Sequence, residues 1–207
     1  MRSMEKKTVC PCCGKEFKAK YLLGYYGSGA RGLDLNPHIP ELSDSVLICP
    51  HCSYAATDMN GPIPERKKEL VLSAEYRRLR EGASKDPTAV KIYLAAYLHE
   101  AVSESKAAAD LYILGHWYAH DAHLSEDPFL EKAIDKLIEY LRENADVTAA
   151  MLLVDCLRQA GAFDEAHETA ESLLRYLDDD RLTDITRFEL KLIENRDPDS
   201  HLESEVR

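Results

Sequence analysis

The chain has no run approaching the ~18 consecutive apolar residues that a membrane-spanning helix requires, so no membrane role is expected. Its charged opening, Met1 to Thr8, is not followed by an apolar stretch, so a secretory leader is not expected either. The expectation is a cytoplasmic protein with reduced thiols. No G-x-S-x-G, Walker-type loop or H-E-x-x-H occurs, which removes the motif-borne routes to hydrolysis and nucleotide chemistry. Positive charge is the minority sign, with 26 Lys+Arg against 37 Asp+Glu and a net charge of −11. Seven of those cations (Arg2, Lys6, Lys7, Lys15, Lys18, Lys20 and Arg31) fall before Asp34 against only Glu5 and Glu16, so that segment carries +5 and the remainder −16. Such a body repels nucleic acid and anionic membranes, and only the N-terminal segment can approach a phosphate backbone.

At 207 residues, with 45% apolar and 30% charged residues, there is material for one ordinary domain, a real core and a small appended module. Four of the six cysteines stand in two short turns, Cys10-Pro11-Cys12-Cys13-Gly14 and Cys49-Pro50-His51-Cys52. A C-P-x-C turn aims two thiolates at one centre while its backbone N–H groups face the sulfurs. Two such turns complete a tetrahedral four-sulfur shell, with Cys10, Cys13, Cys49 and Cys52 as ligands. Gly14 falls where such a knuckle needs positive φ. The ion expected is Zn2+, with iron in a rubredoxin-like centre as the alternative. A shell filled by sulfur leaves no open position for a catalytic water. Cys12 is a spare thiol directed away from the ion. Cys156, on a helix with Leu152 and Leu153, reads as core.

The fold class expected is mainly α: a small zinc ribbon with β knuckles, followed by a TPR-like domain of antiparallel helical hairpins. Three segments are drawn, a zinc ribbon over 8–58, a helical domain over 62–195 and a flexible tail over 196–207. Within the ribbon, Thr8-Val9, Glu16 to Tyr21 and Ser45 to Ile48 read as strands. The 35 residues between Cys13 and Cys49, rich in Gly and Pro, form a looped insertion. Periodicity and caps place helices over about 64–82, from Asp86-Pro87 to Ala101, over 105–122, from Asp127-Pro128, over 146–159, over 164–177 and over 182–194. Leu153, Leu157, Gly161, Phe163 and Ala166 follow the core pattern of a tetratricopeptide repeat, and Ala133 lies 33 residues before Ala166, close to that repeat's period.

Other candidate chemistry is weighed against plainer roles. His116, His120 and His123 fall within about 60° of arc on a helical wheel, a possible second metal site with Glu126 or Asp127, or a polar face. Trp117 reads as a packing anchor. Gly27-Ser28-Gly29-Ala30-Arg31-Gly32 matches G-x-G-x-x-G, but Pro37 and Pro40 stand where the phosphate-facing helix would run, so it reads as a loop in which Arg31 and Asp34 make local contacts. The acidic run Asp178 to Asp180 reads as solvated surface.

Three stretches carry a resemblance: Val9 to Phe17 as V-C-P-x-C-G-x-x-F, Asn36-Pro37 within the insertion, and Cys49 to Ala55 as C-P-x-C-G-Y-A. With a Tyr112- and Trp117-bearing helix before Phe129 to Ala133, the chain resembles the bacterial family called domain of unknown function 2225. Ser53 departs from it, standing where that pattern has glycine. The resemblance implies a ribbon joined to TPR-like helices and supplies no activity. The leading expectation is therefore a non-enzymatic, zinc-binding scaffold whose helices bind a protein or peptide. The alternatives are a nucleic-acid-associated regulator using Lys15, Lys18, Lys20 and Arg31, and a metal-dependent enzyme or redox protein, the former using His116, His120 and His123.

Overall fold

In a computed structural model, which describes residues 2–24, 29 and 31–206, the first cysteine turn is the tip of a long hairpin. Strands β1 (Arg2–Val9) and β2 (Glu16–Gly24) pair antiparallel from Val9↔Glu16 outward, with a bulge between Arg2 and Ser3. Both outlast the short strands expected, because alternation continues past them. Thr8, Phe17, Ala19 and Tyr21 fall on a buried or half-buried face, while Glu5, Lys7, Glu16, Lys18 and Lys20 share the exposed one. A 3-10 turn (Pro40–Ser45) leads to β3 (Leu47–Ile48), which pairs with β4 (Ala55–Ala56) around the second cysteine turn.

Eight helices follow among the described residues: α1 (Glu65–Leu72), α2 (Ala74–Gly82), α3 (Pro87–Glu100), α4 (Ser105–Asp121), α5 (Leu130–Leu141), α6 (Val147–Gln159), α7 (Phe163–Leu174) and α8 (Asp180–Glu194). The single helix expected over about 64–82 is two. Ser73 adopts extended backbone, and its hydroxyl accepts from the Tyr76 N–H, which stops α1 and caps α2 in one residue. Asp86, Asp146 and Asp179 cap α3, α6 and α8 in the same way. Pro128 does not open α5: Asp127 Oδ1 accepts from the Phe129 N–H in a local turn, and the helix begins at Leu130.

The chain divides into two compact units, Met1–Tyr26 with Ile39–Phe129, and Gly27–His38 with Leu130–Arg207. This division cuts across the boundary drawn near residue 60. In the first unit α3 packs on α4 through fully buried Ala89, Ala95, Ala96, Ala108 and Ala109, whose small side chains let the backbones approach. Tyr93 stacks edge-on to Tyr112 and against Phe129, and Tyr112 Oη donates to Glu100. Gly115 is obligatory here: a Cβ would lie 2.3 Å from Phe129 Cδ1.

In the second unit the core gathers Met151, Leu173, Ile185 and Leu192 with Leu33 of the insertion. The insertion is thus not a bare loop. Asp34 and Asn36 are buried, Asp34 Oδ1 accepts from the Asn36 N–H, and Leu33 N–H donates to His201 O. The terminal segment drawn as a flexible tail is held as well. Fully buried Arg158 donates to the carbonyls of Asp197 and Asp199, to Glu189 Oε2 at 2.7 Å and to Asp155 Oδ1 at 2.6 Å.

Candidate metal centre

The two cysteine turns repeat one hydrogen-bond pattern. In the first, Cys10 N–H donates to Lys15 O and Gly14 N–H to Cys10 O; in the second, Cys49 N–H donates to Tyr54 O and Ser53 N–H to Cys49 O. Closing that turn needs left-handed backbone at its fifth residue, and Gly14 (φ 71°) and Ser53 (φ 64°) both adopt it. Ser53 therefore keeps the geometry glycine would give, at a conformational cost. The second turn is braced by α2, whose Tyr76 Oη donates to Ser53 O at 2.8 Å and whose Arg80 reaches Ser53 Oγ at 3.5 Å.

These turns bring four sulfurs together across the sequence. Cys10 Sγ lies 3.6 Å from Cys52 Sγ, Cys13 Sγ lies 3.8 Å from Cys49 Sγ, and all four fall within 4.8 Å of one another. A disulfide would need about 2.05 Å, so none is formed. A tetrahedral ion with ~2.3 Å metal–sulfur arms has edges of ~3.8 Å, so the sulfur spacing fits one such ion. Cys10 and Cys49 are fully buried and their partners half-buried.

The electrostatics agree with a cation at the centre. Burial pushes the Cys10 thiol up to about 11, against N–H groups of Cys13 and Cys12 that face its sulfur. Burial likewise raises Cys52 despite the Tyr54 N–H. At Cys13 burial also raises the value, but the Lys15 N–H and the neighbouring sulfurs outweigh it and the net shift is downward. Burial thus makes the Cys10 and Cys52 thiols harder to ionise, a cost that a cation held between the sulfurs would offset.

Other residues singled out from sequence fall elsewhere. Cys12 stays outside the four-sulfur group, half-buried beside Cys52. Cys156 is buried. The three histidines do not converge: His116 is buried and pairs through Nδ1 with Asp127 Oδ2, whereas His120 lies by Asp121 and His123 is exposed past the end of α4. No second metal-binding group of His, Cys, Asp or Glu occurs among the described residues. Trp117 is half-buried, and its indole N–H has no hydrogen-bond partner among the described residues. Of the N-terminal cations, Lys7 pairs with Glu16, Lys20 with Asp44 and Arg31 with Glu203. Gly27, Ser28 and Ala30 of the glycine-rich match lie outside the described residues. What sequence reasoning missed is the bracing by Tyr76 and Arg80; their only signal was an aromatic and a cation a helical turn apart.

Fold and site together define a helical protein carrying a ribbon-type four-cysteine centre. The chain belongs to a bacterial family described as an uncharacterised protein conserved in bacteria (DUF2225), whose model matches residues 3–157. Neither a curated protein nor a solved structure matches it. No helix among the described residues is long and apolar enough to cross a membrane.

Proposed function

We propose that the protein is a non-enzymatic interaction scaffold: zinc locks the cysteine ribbon, and TPR-like helices in the second unit receive a basic amphipathic peptide. The observation that carries the binding role is an apolar groove of about 310 Å³ where the α5–α6 turn meets the end of α7. Leu141, Val147, Ala150, Leu173 and Tyr176 line it, and Tyr176 is 76% exposed, an aromatic left uncovered. Acids flank it in sequence, Glu143 and Asp146 on one side and Glu165, Glu168 and Glu171 on the other, against Arg142 and Arg175. That imbalance favours a positively charged partner that seats an apolar anchor. The sulfur shell supports zinc in a structural role, because four thiolates fill every tetrahedral position.

Two measurements test the parts separately. Metal analysis of natively purified chain should return one zinc, and Cys49→Ser should abolish it together with protease resistance of the N-terminal ribbon, leaving most helical circular dichroism intact. Structural zinc is worth an apparent ~10–16 kcal/mol in small zinc modules, so partial retention is not expected. Fluorescence anisotropy with lysine-rich and glutamate-rich amphipathic peptides of matched apolar face should show binding only for the first, lost in Ala150→Glu. Equal binding of both peptides would sink the groove assignment and leave the zinc assignment standing.

A further inference from the structure

A second site lies in the first unit, independent of both the groove and the sulfur centre. Along the edge of β2 that faces away from β1 there is a cavity of about 170 Å³, lined by Lys18, Lys20, Asp44 and Lys91 over an apolar floor that includes Val46 and Ile48. At ~30 Å³ per water this is room for five or six waters, below the ~300 Å³ where pockets for drug-sized ligands begin. Its natural occupant is therefore a small group.

The charges define which group. Lys20 Nζ takes Asp44 Oδ2 at 2.8 Å, and Lys91 Nζ stands 3.8 Å from Asp44 Oδ1, too far for a hydrogen bond. The Lys91 side chain is only 15% exposed, and burial lowers its pKa despite Asp44. An ammonium has three donors, and a lysine held this deep ordinarily either reaches water with its head or finds a close acceptor. Lys18, on the same strand face as Lys20, is exposed and has no side-chain partner among the described residues. Three lysines and one carboxylate thus line the cavity, while the charges of Glu5 and Glu41 also act on Lys20 and that of Asp86 on Lys91. Three lysines around the one carboxylate that lines the cavity, in a chain of net charge −11, match a compact dianion with three acceptor oxygens.

We propose that this cavity binds a single phosphoryl group, held by Lys18, Lys20 and Lys91 in competition with Asp44. The group comes either as free phosphate or as a phosphomonoester on a small carrier. Calorimetric titration of the metal-loaded full chain with inorganic phosphate, at ionic strength matched with sodium chloride, should show one saturable site. Lys91→Met should weaken it about tenfold or more, the loss of one charge-assisted hydrogen bond. Lys18→Ala should weaken it severalfold, and Asp44→Asn should tighten it by removing the competing carboxylate. Lys85→Ala, an exposed lysine between α2 and α3, should change nothing. Parallel titration with N-acetyl-O-phosphoserine amide separates the sources: tighter binding than phosphate assigns the ester, weaker binding the free ion. Lys18 is exposed and makes no side-chain pair among the described residues, so its variant folds whatever the site does. Absence of saturable binding to both probes, or binding unaltered in both Lys18→Ala and Lys91→Met, overturns the proposal.

Discussion

Exchanging the fifth residues of the two cysteine turns isolates the backbone contribution to the metal site. Gly14 and Ser53 hold the same left-handed conformation, at φ 71° and 64°, in turns with identical hydrogen bonds. A left-handed residue bearing a Cβ costs roughly 1–2 kcal/mol. Against this, glycine loses roughly 0.5–1 kcal/mol more than alanine in conformational entropy on folding. The strain term is the larger, so Ser53→Gly should stabilise the ribbon by about 0.5–1 kcal/mol and Gly14→Ala should destabilise it by about as much. Side-chain packing does not disturb this reckoning. A Cβ on Gly14 meets nothing within 4 Å, and the Ser53 hydroxyl receives one long 3.5 Å approach from the exposed Arg80. On the proposed zinc-binding role, folding of the ribbon is linked to metal binding, so the difference appears in zinc affinity. With ~1.4 kcal/mol per tenfold, a chelator competition assay should show Ser53→Gly binding about two- to fivefold tighter and Gly14→Ala weaker by a similar factor. Shifts of the same sign in both variants would refute the reasoning, since only the backbone term predicts opposite signs.

Gly115→Ala should destabilise the first unit although alanine favours helix by ~1 kcal/mol, because a Cβ 2.3 Å from the Phe129 ring brings ~1–3 kcal/mol of overpacking. Chemical denaturation should show the same change turning neutral or stabilising in a Phe129→Ala background. In the second unit, Arg158→Met strands two buried acids and should cost about 3–5 kcal/mol, with faster proteolysis near Asp199. Burial, then the charge of Asp155, raise the Glu189 carboxyl well above its ordinary value despite Arg158, so the folded unit keeps a proton that the unfolded chain releases near pH 4.5. Stability from this group is complete below that pH and is lost as pH rises through the folded value; Glu189→Gln should flatten the decline in a series of melts.

The cysteine centre was legible because each turn is local. Proline, cysteine spacing and a glycine at the left-handed position lie within five residues, and the 35 residues between Cys13 and Cys49 only had to be bridged. Helix existence was legible for the same reason, through periodicity and aspartate caps. The break at Ser73 was not, since Leu70, Val71 and Ala74 keep one apolar pattern running through a residue whose hydroxyl ends one helix and begins the next. A helical wheel puts His116 on a polar face because it counts only that residue's own helix, while the partner Asp127 arrives from the turn beyond. The lysine cavity has no local signal at all: Lys20, Asp44 and Lys91 meet only after the fold is made.

The insertion shows why composition misleads where packing decides. Glycine and proline make 27–38 read as a loop, yet Leu33 is 3% exposed in the core that Met151, Leu173, Ile185 and Leu192 build. Gly32 is required because a Cβ there would meet Asp34 Oδ1 at 2.1 Å, and Asp34 is needed to hold the Asn36 N–H. Residues 32–36, with Leu33, Asp34 and Asn36 buried, thus belong to the second unit's core. Three of the four apolar residues that complete that core, Leu173, Ile185 and Leu192, lie beyond residue 157, where the family match ends. The insertion therefore lies within the family-matched region, while most of the surface it packs on is supplied by the part of this chain that follows. Sequence variation in 27–38 should track variation in α7 and α8 rather than in the cysteine turns between which it is threaded.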